Sequence, residues 1–198
     1  CTGMMGFSAI NRAINHTAWL ESRRVSIPLG KLAGVVALAQ MTAGRDFLAE
    51  HPQSSDLFQL AVWKLIAREP RLVRVILHQC MLGLRGPRSG LPIKKPTEIW
   101  ASNPTLVKYL HNDLCDGRHV HSQLDAREAG APADKAKDAQ IWPLPMCRNV
   151  ATSCDERLQE RSDKRSHAQC AAFPLLTRSP EWSSGVTNTP KRVRFGSP

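Results

Sequence analysis

Long hydrophobic runs, aromatic residues and regularly spaced cysteines are scarce in this sequence. The longest apolar run, residues 32–41, includes Gly34 and Gln40 and is far shorter than the roughly 20 residues that cross a bilayer, so we expect no membrane protein. Six cysteines among 198 residues are too sparse and uneven for a disulfide framework. No signal peptide opens the chain, so we expect reduced thiols and an intracellular location, whether nuclear or cytoplasmic.

Positive charge is what the sequence has in excess. Lys and Arg total 27 against 17 Asp and Glu, which gives a net charge of +10. Apolar residues concentrate before Leu124 and become isolated after it. We therefore predict a folded body over residues 1–124 and a largely disordered basic tail over 125–198, with a short helix near 146–159. Because the chain begins with Cys1 and not with Met, we expect a fragment of a longer protein.

The first half alternates helix-like and strand-like segments. A buried helix is predicted at 28–40, and further helices at 57–67 and 103–110. Strands are predicted at 46–50, 72–77 and 97–100, the second being rich in β-branched residues. This order favours an α/β fold, a partial Rossmann-like sheet of the doubly wound type with crossover helices.

Several motifs occur in a fixed order along the body. The chain reads Gln79-Cys80-x-x-Gly83, then Lys95-Pro96-Thr97, then Cys115-x3-His119-x-His121, and the block 139–143 (AQIWP) follows. This order resembles an uncharacterised domain of eukaryotic retroelement polyproteins. The resemblance covers roughly residues 1–158. It implies that the chain is a fragment of such a polyprotein and that the remainder of the polyprotein is a partner.

That domain is in turn similar to a diverged Rossmann-type methyltransferase of the cytosine-C5 class. In that class a cysteine nucleophile adds to C6 of the pyrimidine, and a glutamate at a strand end interacts with N3. The resemblance places Cys1 on the first motif, with Phe7-Ser8 after one insertion, and Glu50 on the second. It therefore implies a Cys-dependent enzyme acting on a pyrimidine base as one alternative function.

The methyl donor site of that class is missing from this sequence. The class binds S-adenosylmethionine at a Gly-rich loop upstream of the cysteine motif, and no strand followed by such a loop occurs here. S-adenosylmethionine would therefore bind only if an upstream half were present. We expect this chain alone to be catalytically inactive.

A compact set of metal ligands lies in the third motif. Cys115, His119 and His121 supply three candidate zinc ligands, and either Cys80 or His78 supplies the fourth from a neighbouring strand end. We expect such an ion to be structural and to tie the loop to the sheet. A small protein-interaction module with a structural zinc site is therefore the second alternative function.

Basic residues and a short tail motif predict two kinds of partner. Arg85, Arg88, Lys94 and Lys95 flank one loop and favour non-specific contact with nucleic acid through counterion release. Residues 191–195 (KRVRF) resemble the docking motif of regulators of type-one protein phosphatase, in which Val193 and Phe195 would fill two pockets of an added strand.

Overall fold

The architecture is mixed α/β. A computed structural model of the chain describes residues 6–86, 89–110, 113–122 and 141–172, with only the backbone given for residues 9, 10 and 166–172. Four helices are α1 (Ala9–Ile14), α2 (His16–Thr42), α3 (Ala61–Ile66) and α4 (Leu144–Ala172), and three strands are β1 (Leu48–Pro52), β2 (Val73–His78) and β3 (Pro96–Ala101). Single 3₁₀ turns cover Asp56–Gln59, Gln79–Leu82 and Pro104–Val107.

The three strands form one antiparallel sheet in the order β1-β3-β2. The predicted strand positions hold to within two residues, but a doubly wound parallel sheet with crossover helices is not shown. The alternation within β2 explains the difference, because exposed Arg74 and Ile76 alternate with buried Val75 and Leu77. That alternation is typical of antiparallel strands with one covered face. No crossover helix joins β2 to β3 in the described part of the intervening segment.

The central strand β3 is covered on both faces. Ile99 and Ala101 point into one cluster with Leu77, Leu110 and Met146, all of which are fully buried. Trp100 points to the other face, where it stacks on Phe58 with ring centroids 4.2 Å apart. A second cluster on that face also contains residues from α2 and α3. The sheet therefore lies between the two clusters. The end of β2, at His78, contacts Asp113 of the segment 113–122.

Helix α2 is longer than the helix predicted at 28–40. It begins at His16 after Asn15, whose side-chain Oδ1 accepts a hydrogen bond from the Ala18 amide, and it continues through Pro28 to Thr42. By length and composition it is long and apolar enough to cross a membrane. The expectation that the chain is not a membrane protein stays a prediction, because length and composition alone do not place a helix in a bilayer. The apolar run counted from the sequence begins after Lys31, whereas the helix continues through Lys31 and Pro28 and so includes the further, mostly apolar residues 25–30.

Helix α4 lies where the sequence predicted a tail with a short helix near 146–159. The chain divides into two compact units after Arg161, so the first unit extends well beyond residue 124. Met146 is fully buried in the core cluster of that unit. The Asp46 carboxylate, near the start of β1, accepts hydrogen bonds from Arg157 Nε and Arg161 Nη1, both at 3.0 Å. These ion pairs hold the first part of α4 to the sheet.

A buried histidine on β1 makes the fold sensitive to acid. His51 is 7% exposed and lies edge-on to Phe7 and Phe58. Burial, assisted by the charge of Lys95, lowers the pKa of His51 from 6.5 to about 4. Because the folded pKa is depressed, the unfolded chain binds more protons between these values. The stability from neutral His51 is complete above pH 6.5 and is lost as the pH falls toward 4.

We expect the free energy of unfolding to fall by up to about 3 kcal/mol between pH 7 and pH 4 through this residue alone. Urea titrations of the wild-type chain and of His51→Phe at several pH values measure the effect. Phe retains an aromatic ring but cannot titrate. The difference between the two chains in how the free energy of unfolding changes with pH therefore isolates His51 from other acid-sensitive groups. The same pH dependence of the free energy of unfolding in both chains would contradict the role of His51 in acid sensitivity.

Candidate metal centre

The end of β2 presents one side of the candidate site. The strand finishes at His78, and the 3₁₀ turn Gln79–Leu82 follows directly, so Cys80 lies one residue into that turn. Gly83 ends the turn with φ of +88°, a conformation that favours glycine. The Cys80 side chain is buried. Turn geometry therefore fixes one thiol at the edge of the sheet.

The segment 113–122 supplies the other side and is anchored at both ends. Its first residues bind β2, because the His78 amide donates to the Asp113 carbonyl at 2.8 Å. The Cys115 amide donates to His78 Nδ1 at 2.9 Å. At the other end, the Ser122 amide donates to the Pro92 carbonyl at 2.8 Å. These contacts hold the intervening loop against the turn that carries Cys80.

Four metal-ligating side chains converge between the turn and the loop. Cys80, Cys115, His119 and His121 each offer one ligand atom, and all four atoms lie within 4.8 Å of one another. Cys115 Sγ is 3.6 Å from His119 Nε2 and 3.3 Å from His121 Nε2. Ligands of a tetrahedral zinc ion lie about 3.3–3.8 Å apart, given the usual Zn–S and Zn–N bond lengths. The four residues are therefore close enough to bind a metal ion.

Two of the four groups, Cys80 and His121, have shifted pKa values. Burial, reinforced by the adjacent Cys115 thiol, raises the pKa of Cys80 to about 11. Partial desolvation and the charges of His119 and Lys94 lower the pKa of His121, which favours the neutral imidazole that binds metals. The Gly117 amide donates to Cys115 Sγ at 3.3 Å. Because its pKa is raised, Cys80 is a protonated thiol near neutral pH, and a bound metal ion would have to displace this proton.

The two candidates for the fourth ligand, Cys80 and His78, occupy different positions. Cys80 belongs to the four-residue cluster, whereas His78 Nδ1 accepts the amide hydrogen of Cys115. His78 is therefore a positioning residue that orients the loop. Beside it, Gln79 is fully buried, and its Nε2 donates to Thr97 Oγ1 at 2.9 Å. No role for Gln79 is predicted from the sequence, and its place in the Gln-Cys motif was the available signal.

The predicted catalytic pair is not brought together by the described residues. Cys1 lies outside them, so its position relative to Glu50 is not defined. Glu50 lies in the middle of β1, opposite Ile99, and not at the strand end that the sequence predicted. Its carboxylate Oε1 is 3.7 Å from Lys95 Nζ, and both side chains are largely buried. This ion pair accounts for a carboxylate within the sheet.

The predicted nucleic-acid residues separate into two groups. Arg85 and Lys94 are exposed. Their chain segments lie side by side, because the Ile93 amide donates to the Leu84 carbonyl. Lys95 instead faces Glu50. Arg88 lies outside the described residues, as does the predicted docking segment 191–195.

Beside the candidate site is an open cleft. It is lined by two of the ligands, Cys80 and His119, together with Met81, Arg85, Leu91, Pro92 and Val120. The basic residue Arg85 therefore lies next to the candidate ligands, and the exposed apolar side chains of Met81, Leu91 and Val120 lie in the same lining.

Comparisons with known proteins return no relative. A scan against protein-family models finds no match, and searches of the curated proteins and of the solved structures find none either.

Proposed function

We propose that the chain is a zinc-stabilised α/β interaction module. The observation that carries the proposal is the convergence of Cys80, Cys115, His119 and His121, whose ligand atoms all lie within 4.8 Å. Zn²⁺ fits this set because it prefers tetrahedral coordination by thiolate sulfur and imidazole nitrogen. Two thiolates also neutralise its charge. Four protein ligands leave no open position for substrate, so the ion has a structural role.

The position of the cluster explains what a structural ion would do. The loop 113–122 has no helix or strand of its own, and Cys115 Sγ contacts His119, His121 and Gly117 within it. Zinc would fix Cys115, His119 and His121 to the turn after β2. It would thereby complete a surface made of the loop and the adjoining cleft.

Cobalt substitution tests this proposal. Tetrahedral Co²⁺ with thiolate ligands absorbs visible light, so titration of the reduced full-length chain should saturate at one equivalent. Adding Zn²⁺ should bleach the absorption. Cys115→Ser should abolish the tight stoichiometric uptake. Cys147→Ser is the matched control, because Cys147 is an exposed cysteine of α4, outside the cluster, and it should behave as wild type.

Either of two results would overturn the zinc proposal. One is the absence of stoichiometric Co²⁺ or Zn²⁺ uptake by the reduced chain. The other is equal loss of uptake in Cys115→Ser and Cys147→Ser, which would show that binding does not depend on the cluster.

Non-specific nucleic-acid contact is a second candidate, favoured by the placement of two exposed cations near the cluster. Once two thiolates neutralise Zn²⁺, Arg85 and Lys94 leave this edge of the module positively charged. Arg85→Gln with Lys94→Gln should weaken binding of a single-stranded oligonucleotide and make the slope of log affinity against log salt concentration shallower by about 1.4. Fluorescence anisotropy at several salt concentrations measures both. Lys64→Gln with Arg68→Gln, exposed around α3, is the control pair; an equal effect there would contradict a localised contact.

Origin in a retroelement polyprotein, with a degenerate Rossmann-like methyltransferase domain, is proposed from the motif order alone. Protease, integrase or reverse-transcriptase coding adjacent to the gene would support it. An upstream Gly-rich donor loop would support the methyltransferase relationship.

A further inference from the structure

Helix α2 has one covered face and one uncovered face. The covered face consists of mostly small residues, including Gly30 and Gly34, that approach the body closely; a Cβ at Gly34 would lie 2.4 Å from Val62. The uncovered face carries large apolar side chains that are each 46–59% exposed: Val25, Leu29, Leu32, Val35 and Val36. Their spacing of three, four and seven residues places them side by side along the helix. Together they form what we call the apolar stripe.

An apolar stripe of this length is unusual on a solvent-facing helix. Helices that are hydrophobic around their whole circumference are normally covered, either in a protein core or in a membrane. Most of α2 is not buried within the described protein, although its composition would suit a bilayer. The residues that the structure describes leave the stripe uncovered, so a further apolar partner is needed to cover it.

Charge indicates what covers the stripe. Between residues 25 and 44 the one charged residue is Lys31, and Glu21 is the one acidic residue of α2. Arg24 and Lys31 are exposed and seven residues apart, so they follow one edge of the stripe. Long basic side chains beside an apolar helix face are suited to reach lipid phosphates while their stems lie on the acyl chains.

The same charges disfavour a second copy of this chain as the occupant. Two molecules of net charge +10 repel each other, and a stripe bordered by Arg24 and Lys31 would meet the same basic edge in its partner. An anionic lipid surface attracts both the edge and the rest of the molecule. Because the covered face of α2 packs on Trp63 and Phe7, the helix would lie in the surface and would not span the bilayer.

We propose that the apolar stripe of α2 binds the surface of anionic membranes, with Arg24 and Lys31 at the phosphate level. The proposal is independent of the zinc site. It is tested by co-sedimentation of the full-length chain, with and without added Zn²⁺, with vesicles of phosphatidylcholine alone or mixed with phosphatidylserine. We expect binding to the mixed vesicles and much weaker binding to phosphatidylcholine alone.

Two variants and a matched control define the surface. Leu32→Gln with Val36→Gln should weaken vesicle partitioning at least about tenfold, because each residue loses apolar contact with the acyl region. Arg24→Gln with Lys31→Gln should weaken binding to the mixed vesicles on the order of tenfold. Leu65→Gln with Leu158→Gln removes two similarly exposed leucines elsewhere and should change nothing. All substituted side chains are exposed, and circular dichroism verifies that each variant is folded.

Three results would overturn the proposal: no binding to the mixed vesicles, equal binding to both vesicle types, or equal loss in the control variant. Light scattering identifies the main competing occupant. A dimer that Leu32→Gln with Val36→Gln dissociates, without any vesicle binding by the wild type, would assign the stripe to a second copy of the chain.

Discussion

Removal of zinc is expected to lower the melting temperature of the folded chain by about 8–16 °C. Ligand binding to the folded state contributes about 4 kcal/mol when free zinc exceeds the dissociation constant a thousandfold. For a unit of about 150 residues, each kcal/mol corresponds to about 2–4 °C. The loop 113–122 has no helix or strand of its own, so we expect the loss to begin there and to expose the buried Cys80. Calorimetry of the zinc-loaded chain, before and after dialysis against a chelator, measures the shift.

The variants used for metal uptake also provide the controls for stability. Cys115→Ser should melt at the lower temperature with or without chelator, because its cluster is already incomplete. Cys147→Ser should retain the full chelator response, since its thiol lies outside the cluster. A wild-type chain that melts at the same temperature with and without zinc would show that the four ligands contribute no stability through a metal.

The second large effect is expected from Trp63→Ala. Trp63 is 1% exposed, and its indole Nε1 donates to the Gly30 carbonyl of α2 at 3.0 Å. Its ring meets Phe58 and Trp100 edge-on, at centroid distances of 5.3 and 5.7 Å. Truncation therefore removes a large side chain that joins α2, α3 and the sheet. We expect a loss of about 3–5 kcal/mol, a large share of the stability of a small domain.

Urea unfolding followed by circular dichroism measures this loss. Trp63→Phe should cost less, because a ring still fills much of the space while the hydrogen bond to Gly30 disappears. Trp142→Ala is a useful comparison, since Trp142 is only partly buried at the edge of the other core cluster. A loss for Trp63→Ala no larger than that for Trp142→Ala would contradict the central position assigned to Trp63.

The site was more predictable from the sequence than the sheet. Cys115, His119 and His121 lie within seven residues, so local chain geometry nearly forces their proximity, and Cys80 follows a recognisable strand. Strand direction has no comparable local signal, because it depends on which strands pair. The available indication in the sequence was the charged Arg74 between Val73 and Val75, which suggests a strand with one uncovered face, as in antiparallel sheets. The exposure of α2 was also inaccessible, since an apolar sequence does not specify how much of its surface the rest of the chain covers.

The spacing of the four ligands also orders events during folding. His119 and His121 lie four and six residues after Cys115, so these three can gather around an ion in the unfolded chain at little entropic cost. Cys80 is 35 residues before Cys115 (115 − 80 = 35), and recruiting it closes a loop that contains all of β3. Zinc would thus load first on the local trio and then capture Cys80 as β2 and β3 pair. The bond to Cys80 would act as a cross-link, and its formation would report that the sheet has assembled.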